Sequence, residues 1–388
     1  LGVPFATPPV GDLRWTYPQP AEDWEGVPQA DHYGPACMQR RFEDGIPNSP
    51  WTKEYATDPA SEISDDCLYL NVWTAAQSTE ERLPVFVWIH GGGWNQGSGS
   101  LLLYSGKEMA KRGVVFVNVN YRLGVFGLLP HPELTAEAGT SGNYGVGDLV
   151  AALEWVRDNI ENFGGDPNQV TITGQSAGSR AVHHLTYTPS AEGLFHRIIS
   201  QSGSRVTGNI ESRDQAEERG VAFMEAMGAS SLADLRAMSA DELETAMDNG
   251  VARFQPIIDG ELVPLDPPEV YAQATYPDTP VLTGFTADEG SSRATYGQAT
   301  AAEFRASVEQ RYGDLADRFL ALYPATDDAA AGEASKQLAR DGNIANMYLW
   351  SKRRMATTQQ PIYGYLFTRV LPGPHSDHFG AFHSVELA

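Results

Sequence analysis

A serine between glycines, Gly174-Gln175-Ser176-Ala177-Gly178, follows the short apolar run Val170-Thr171-Ile172-Thr173. Strand, sharp turn and helix in that order is the setting in which G-x-S-x-G lifts a hydroxyl clear of a sheet edge as a nucleophile. An acyl-transfer serine also needs donors for the oxyanion, a base, and an acid that orients the base. His90-Gly91-Gly92-Gly93-Trp94 directly follows an apolar run ending at Ile89. Consecutive glycines free backbone N–H groups to point into a cavity, so this segment reads as an oxyanion loop, with the N–H of Ala177 as a further donor.

The base should lie after both the serine and the acid in the chain. That order removes His32, His90 and His131, and leaves no room for His183, His184 or His196. His375, His378 and His383 remain. The run His375-Ser376-Asp377-His378 sits in a Pro/Gly-rich loop without the paired helical spacing of a metal site, so no metal is expected. Asp288-Glu289-Gly290 follows an apolar run at 280–284, where an orienting carboxylate belongs, and the pattern admits either Asp288 or Glu289.

These residues need a scaffold. Pro84 to Ile89, Val114 to Asn120, 170–173, Arg197 to Gln201, Pro280 to Gly284 and Ile362 to Phe367 read as short strands, the first two as buried members of a mostly parallel sheet. Leu149, Ala152, Leu153, Val156, Ile160 and Phe163 share one face of a helix over 148–163. Asp148 is its expected N-cap, and Gly164-Gly165-Asp166-Pro167 stops it. Residues 1–70 read as irregular structure over a core. Residues 210–250 and 301–357 read as acidic helical insertions above the sheet, a lid or pocket wall that with Trp94 shapes an apolar pocket. The alternation predicts one α/β domain across 1–388, with helices on both faces of a central sheet.

Composition bounds the partners. The chain has 388 residues, 41% hydrophobic and 20% charged, with a net charge of -23. That charge repels nucleic acid and anionic membrane surfaces, and no apolar run approaches the length of a membrane span. Two cysteines, Cys37 and Cys67, allow one disulfide or two free thiols.

The whole pattern resembles the type-B carboxylesterases, the cholinesterase-like branch of the α/β-hydrolases. The resemblance runs from Leu1-Gly2-Val3-Pro4-Phe5-Ala6 through Ser64-Asp65-Asp66-Cys67-Leu68 and the H-G-G-G loop. It continues through Asn120-Tyr121-Arg122, Gly142-Asn143-Tyr144-Gly145, the elbow and Gln201-Ser202-Gly203-Ser204 to Gly380-Ala381-Phe382-His383. It implies the α/β-hydrolase fold, with Ser176 as nucleophile, Glu289 as acid, His383 as base, and Gly92, Gly93 and Ala177 as oxyanion donors. It further implies a Cys37–Cys67 disulfide, structural ion pairs Arg14–Asp65 and Arg122–Asp148, and a supporting buried Ser202. No cofactor is called for, and the implied partner is a small uncharged carboxylic ester. The disulfide and the family's habit imply a secreted or periplasmic protein.

Three departures stand out. Gln175 precedes the nucleophile where the family usually has Glu, which removes an anion beside the site. Trp51 is the only tryptophan between Cys37 and Cys67 and sits too early for the family's choline-binding position. Against the family pattern, N- and C-terminal pieces are missing, and His383 falls near the end of the chain. The alternatives are an amidase or thioesterase with the same triad, or a catalytically silent binding or adhesion protein on the same fold.

Overall fold

The computed structural model describes residues 1–40, 62–204, 210–274, 276–293, 295–373 and 375–387. Trp51 lies outside the described residues. The chain builds an eight-stranded sheet: β1 (Val3–Pro4), β2 (Tyr69–Trp73), β3 (Leu83–Ile89), β4 (Val115–Val119), β5 (Gly165–Gln175), β6 (Arg197–Gln201), β7 (Val281–Thr286) and β8 (Ile362–Phe367). Their spatial order is β1-β2-β4-β3-β5-β6-β7-β8. β1 and β2 pair antiparallel, as do β2 and β4, and every pair from β4 onward is parallel. The fold is thus the expected α/β-hydrolase type, with a mostly parallel sheet.

The parallel strands form because crossover helices cover both faces, so β-branched and aromatic runs are buried on two sides. Val115, Val117 and Val119 are at most 1% exposed, as are Val85, Val87 and Ile89 beside them. The edge strand β8 is mostly exposed or half-buried. Among the described residues, no helix is long and apolar enough to cross a membrane.

Helix α1 (Tyr144–Asn159) starts one turn earlier than the sequence pattern predicts, and Asn143 is its N-cap, with φ of 51°. The expected cap, Asp148, is inside the helix and fully buried. Its carboxylate accepts from the Arg122 backbone N–H and from the Arg122 guanidinium at 2.7 Å. An ion pair needs those oxygens more than a helix end does, since an unpaired buried charge costs far more than a missing cap. Asp148→Ala strands the guanidinium in the core and should cost about 3–5 kcal/mol in denaturant unfolding; a loss under 1 kcal/mol contradicts the assigned role. The Arg14–Asp65 pair also forms, at 2.6 Å.

Cys37 and Cys67 are joined in a disulfide across 30 residues. Closing a loop of that length stabilises by about 3–4 kcal/mol through the unfolded chain. The Cys37→Ser/Cys67→Ser double variant is therefore expected to lose about that much in chemical denaturation.

The helical segments divide differently from the expected insertions. Residues 301–334 pack on one another through Phe304, Val308, Ala316, Tyr323, Ala331 and Ala334, a small core of their own. The long helix Asp328–Met355 then runs on to the sheet, where Trp350 and Arg354 are each 1% exposed. Its last turns cover β7 and β8. The reason lies in the residue types: small alanines serve the outer cluster, whereas Trp350 stacks edge-on against His183 beneath the sheet. Trp94 also differs from expectation. It is wholly buried, edge-on to Tyr121, and supports its loop from below instead of lining a pocket.

Candidate active site

The elbow is built by close backbone approach. β5 ends at Gln175 and helix α2 (Ala177–Tyr187) begins at once. Ser176 between them has φ of 59° and ψ of -118°, a conformation that costs a non-glycine residue about 1–3 kcal/mol. Its N–H is held by the Gln201 carbonyl at 2.9 Å. A Cβ on Gly178 would overlap the carbonyl oxygen of Ile89 in the neighbouring strand. Gly178→Ala should therefore push α2 off β3, destabilise by about 1–3 kcal/mol and depress activity. A thermal melt unchanged from wild type would show that the contact is slack.

The oxyanion loop reaches the elbow because β3 and β5 are neighbours, with Ile89 opposite Gly174. Gly91 lies so close to the elbow that a Cβ would stand 2.7 Å from the Gln175 carbonyl oxygen and 3.2 Å from the Ser176 Cβ. Gly92 has φ of 107°. The Gly93 carbonyl is tied back by the side-chain amides of Asn95 (2.9 Å) and Gln255 (3.1 Å). The N–H groups of Gly92, Gly93 and Ala177 donate to no acceptor among the described residues. Free donors at a loop and at a helix N-terminus form an anion-binding corner.

His90 opens that loop but is no base. It is 1% exposed, stacks on Tyr121, and burial lowers its pKa to about 4. His183 and His184 are likewise buried, and both fall to about 3, again chiefly through desolvation. All three stay neutral in the folded protein, whereas the unfolded chain takes up protons near the ordinary histidine value of 6.5. Folded pKa values below unfolded ones mean that the unfolded state binds more protons between about 6.5 and 4. Stability is then fully present above that window and is lost as pH falls through it, by up to about 1.4 kcal/mol per histidine per pH unit. A calorimetric series should show the melting temperature dropping from pH 6.5 to 4.5; a flat series contradicts neutral burial.

His383 meets Glu289: its Nδ1 and the Glu289 Oε2 form a short hydrogen bond, with the two side chains 24% and 15% exposed. Burial opposes charge on Glu289, but the hydrogen bond and charge of His383 outweigh it and hold the carboxyl below its ordinary range. The acid follows β7 and the base follows β8, and the two loops are laced together. The Asp288 N–H donates to the Ala381 carbonyl, and the Ala381 N–H donates to the Asp288 carboxylate, each at 2.9 Å. That carboxylate also accepts from the Tyr296 hydroxyl at 2.8 Å and from Arg340 at 3.2 Å. Ala287, Phe379, Ala381, Phe382 and Val385 pack beneath as an apolar anchor. Of the two candidate carboxylates, the structure thus sets Glu289 on the imidazole and Asp288 on the backbone that carries it.

His375 and His378 stay exposed against Phe379, but the segment expected as a loop forms a short helix, Ser376–Phe379, with His375 at its N-cap. Among the described residues, no three His, Cys, Asp or Glu side chains gather as metal ligands. Ser202 is 6% exposed with φ of 60°, and its hydroxyl reaches Glu386 at 3.5 Å. Sequence reasoning missed Glu386. Burial first, and Glu289 nearby, raise its pKa, and its Oε2 is buried with no hydrogen-bond partner among the described residues. An acid three residues past His383 beside buried Val385 was the available signal.

Strand ends thus gather a strained serine, free N–H donors and a histidine–carboxylate pair at one edge of the sheet. Comparison with known proteins agrees in kind. The model of the carboxylesterase family matches residues 1–388. The fumonisin B1 esterase of Sphingopyxis macrogoltabida is 35% identical over 97% of this chain and 70% of its own length. The para-nitrobenzyl esterase of Bacillus subtilis is 40% identical over 74% of this chain and 58% of its own length. A solved PNB esterase structure superposes with a TM-score of 0.81 at 34% identity, covering all of this chain and 78% of that one. The chain spans little more than half the length of several curated relatives. A match over every residue, at these identities, makes this chain a member of the carboxylesterase family.

Proposed function

We propose that the protein hydrolyses uncharged carboxylic esters by two-step acyl transfer. His383 takes the Ser176 proton as the hydroxyl attacks the ester carbonyl. The N–H groups of Gly92, Gly93 and Ala177 receive the charge that develops on the carbonyl oxygen. The imidazolium, oriented by Glu289, then protonates the leaving alcohol, and water repeats the sequence on the acyl-enzyme. The observation that carries this reading is the His383–Glu289 hydrogen bond, set on loops that follow two parallel strands of the sheet that also ends in Ser176.

The esterase names of the two relatives support an ester as substrate. A thioester reading has one specific observation in its favour: a relative 40% identical over 73% of the chain is named as a medium-chain fatty acyl-CoA hydrolase. Turnover of matched ester, thioester and amide substrates separates these. The first test is labelling with a fluorophosphonate probe, read by mass spectrometry of the peptide carrying Ser176. An adduct on Ser176 is the expected result; a folded protein that takes no adduct overturns the assignment. The disulfide supports an oxidising compartment, secreted or periplasmic, and trapping of free thiols in whole cells tests that.

A further inference from the structure

A cation stands beside the oxyanion loop. A Cβ built on Gly93 would lie 3.9 Å from the Arg253 Nη2 and the same distance from the Asn95 Nδ2. Gly92, Gly93 and Asn95 are half-buried, like Ser176, whereas Gly91 and Trp94 are buried. The loop therefore opens to solvent at Gly92, Gly93 and Asn95, and Arg253 borders that opening.

Local contacts hold Arg253 there. Gln255, two residues on, donates its amide to the Gly93 carbonyl at 3.1 Å. Phe254 between them is 1% exposed and packs edge-on against Phe223. The anchored Phe254 turns inward and leaves its two neighbours on the loop side. The Arg253 carbonyl accepts from the Arg219 guanidinium at 3.1 Å, and Arg219 is itself paired with Glu211. The Arg253 side chain is exposed, and among the described residues no carboxylate forms an ion pair with it. Acidic side chains outnumber basic ones by 50 to 27 in this chain, yet this guanidinium keeps its charge for a ligand.

We propose that Arg253 is a specificity-determining residue that lets the site take esters bearing a free carboxylate, such as half-esters of dicarboxylic acids, in addition to uncharged ones. The inference rests on the esterase reading and goes beyond it in substrate class. An ester whose carbonyl oxygen sits on the N–H groups of Gly92 and Gly93 carries one of its two arms past the opening. There the guanidinium presents paired, planar N–H donors that match a carboxylate. The Asn95 amide spends one N–H on the Gly93 carbonyl, at 2.9 Å, and has a second for the same ligand. The net charge of -23 repels an anion from afar. At physiological salt that field is screened beyond about 8 Å, so the charge nearest the carboxylate decides. A cationic ester meets repulsion at the same place.

The test compares monomethyl adipate with methyl hexanoate, in which a methyl replaces the carboxylate at the end of the acyl arm. A second pair, 6-acetoxyhexanoate and hexyl acetate, places the same change on the alcohol arm. Arg253→Met keeps the reach without the charge, and Arg253→Lys keeps the charge. The ratio of kcat/KM for the charged ester over the neutral one should fall about five- to tenfold in Arg253→Met for at least one pair, chiefly through KM. Arg253→Lys should restore most of it, and added salt should narrow the wild-type ratio. A merely structural role would lower both members of a pair alike and leave the ratio unchanged. Ratios that match wild type for both pairs in Arg253→Met overturn the inference. So does a wild type that hydrolyses the neutral esters and neither charged one. Should wild type hydrolyse none of the four, the esterase reading fails. Binding of monomethyl adipate by saturation-transfer NMR then still decides: weaker binding to Arg253→Met than to wild type supports the contact, and equal binding overturns it.

Discussion

Ser176→Ala is expected to lower ester turnover by about 10⁴–10⁶-fold and to abolish fluorophosphonate labelling, with little change in melting temperature. The size follows from the chemistry: without the hydroxyl there is no acyl-enzyme, and only binding and the free N–H corner remain to assist water. The small structural effect follows from what the side chain touches. Its hydroxyl bonds no described residue, and the contacts that fix the elbow come from the backbone, through the Gln201 carbonyl and the Arg180 N–H. Alanine keeps those contacts, although its φ of 59° remains strained. Turnover at the wild-type rate would remove Ser176 as nucleophile. Collapse of the fold would show that the hydroxyl has a structural role not visible in its contacts.

Glu289→Gln is expected to cut kcat/KM by about 10³–10⁴-fold, because an amide neither fixes the tautomer of His383 nor supports its positive charge. The adjacent Asp288→Asn separates site from scaffold. Asp288 accepts from the Ala381 N–H, the Tyr296 hydroxyl and Arg340, and touches no ring nitrogen of His383. It should therefore cost about 1–3 kcal/mol of stability, as a lost charged acceptor does, and reduce turnover by under about tenfold. If Asp288→Asn proves the more damaging to catalysis at a temperature where both variants are folded, the acid has been assigned to the wrong carboxylate. The two substitutions share size and charge change, so the contrast isolates position.

The placement of Glu289 rather than Asp288 on the base depends on the register between two loops. By pattern alone, 288 and 289 were equivalent acids after a strand, and His375, His378 and His383 were equivalent bases. Their resolution needs the bridge between Asp288 and Phe382. That bridge fixes which side chain of each loop faces the other. The resemblance to the family reached the same pair by position, without a physical reason. In the same way, Asp148 looked like a helix cap because capping is local, and it proved buried because its partner, Arg122, comes from a different element.

Local chemistry and chain order determined a good deal from sequence. Alternating apolar runs fixed most of the central strands, since burial on both faces demands β-branched residues there. The glycines around Ser176 and at 91–93 marked where backbone must approach backbone, a need that shows directly in residue type. What only the tertiary structure decided is whatever depends on two distant segments meeting. It brought the oxyanion loop to the elbow through adjacent strands β3 and β5. It sent the end of the Asp328–Met355 helix to the sheet instead of a lid, and buried Trp94 below its loop. It also laid the Gln175 amide over the His383 ring, 208 positions away in the chain. Side-chain type records what a residue can bond to, but its partner is chosen by strand order and loop register, which no single segment encodes.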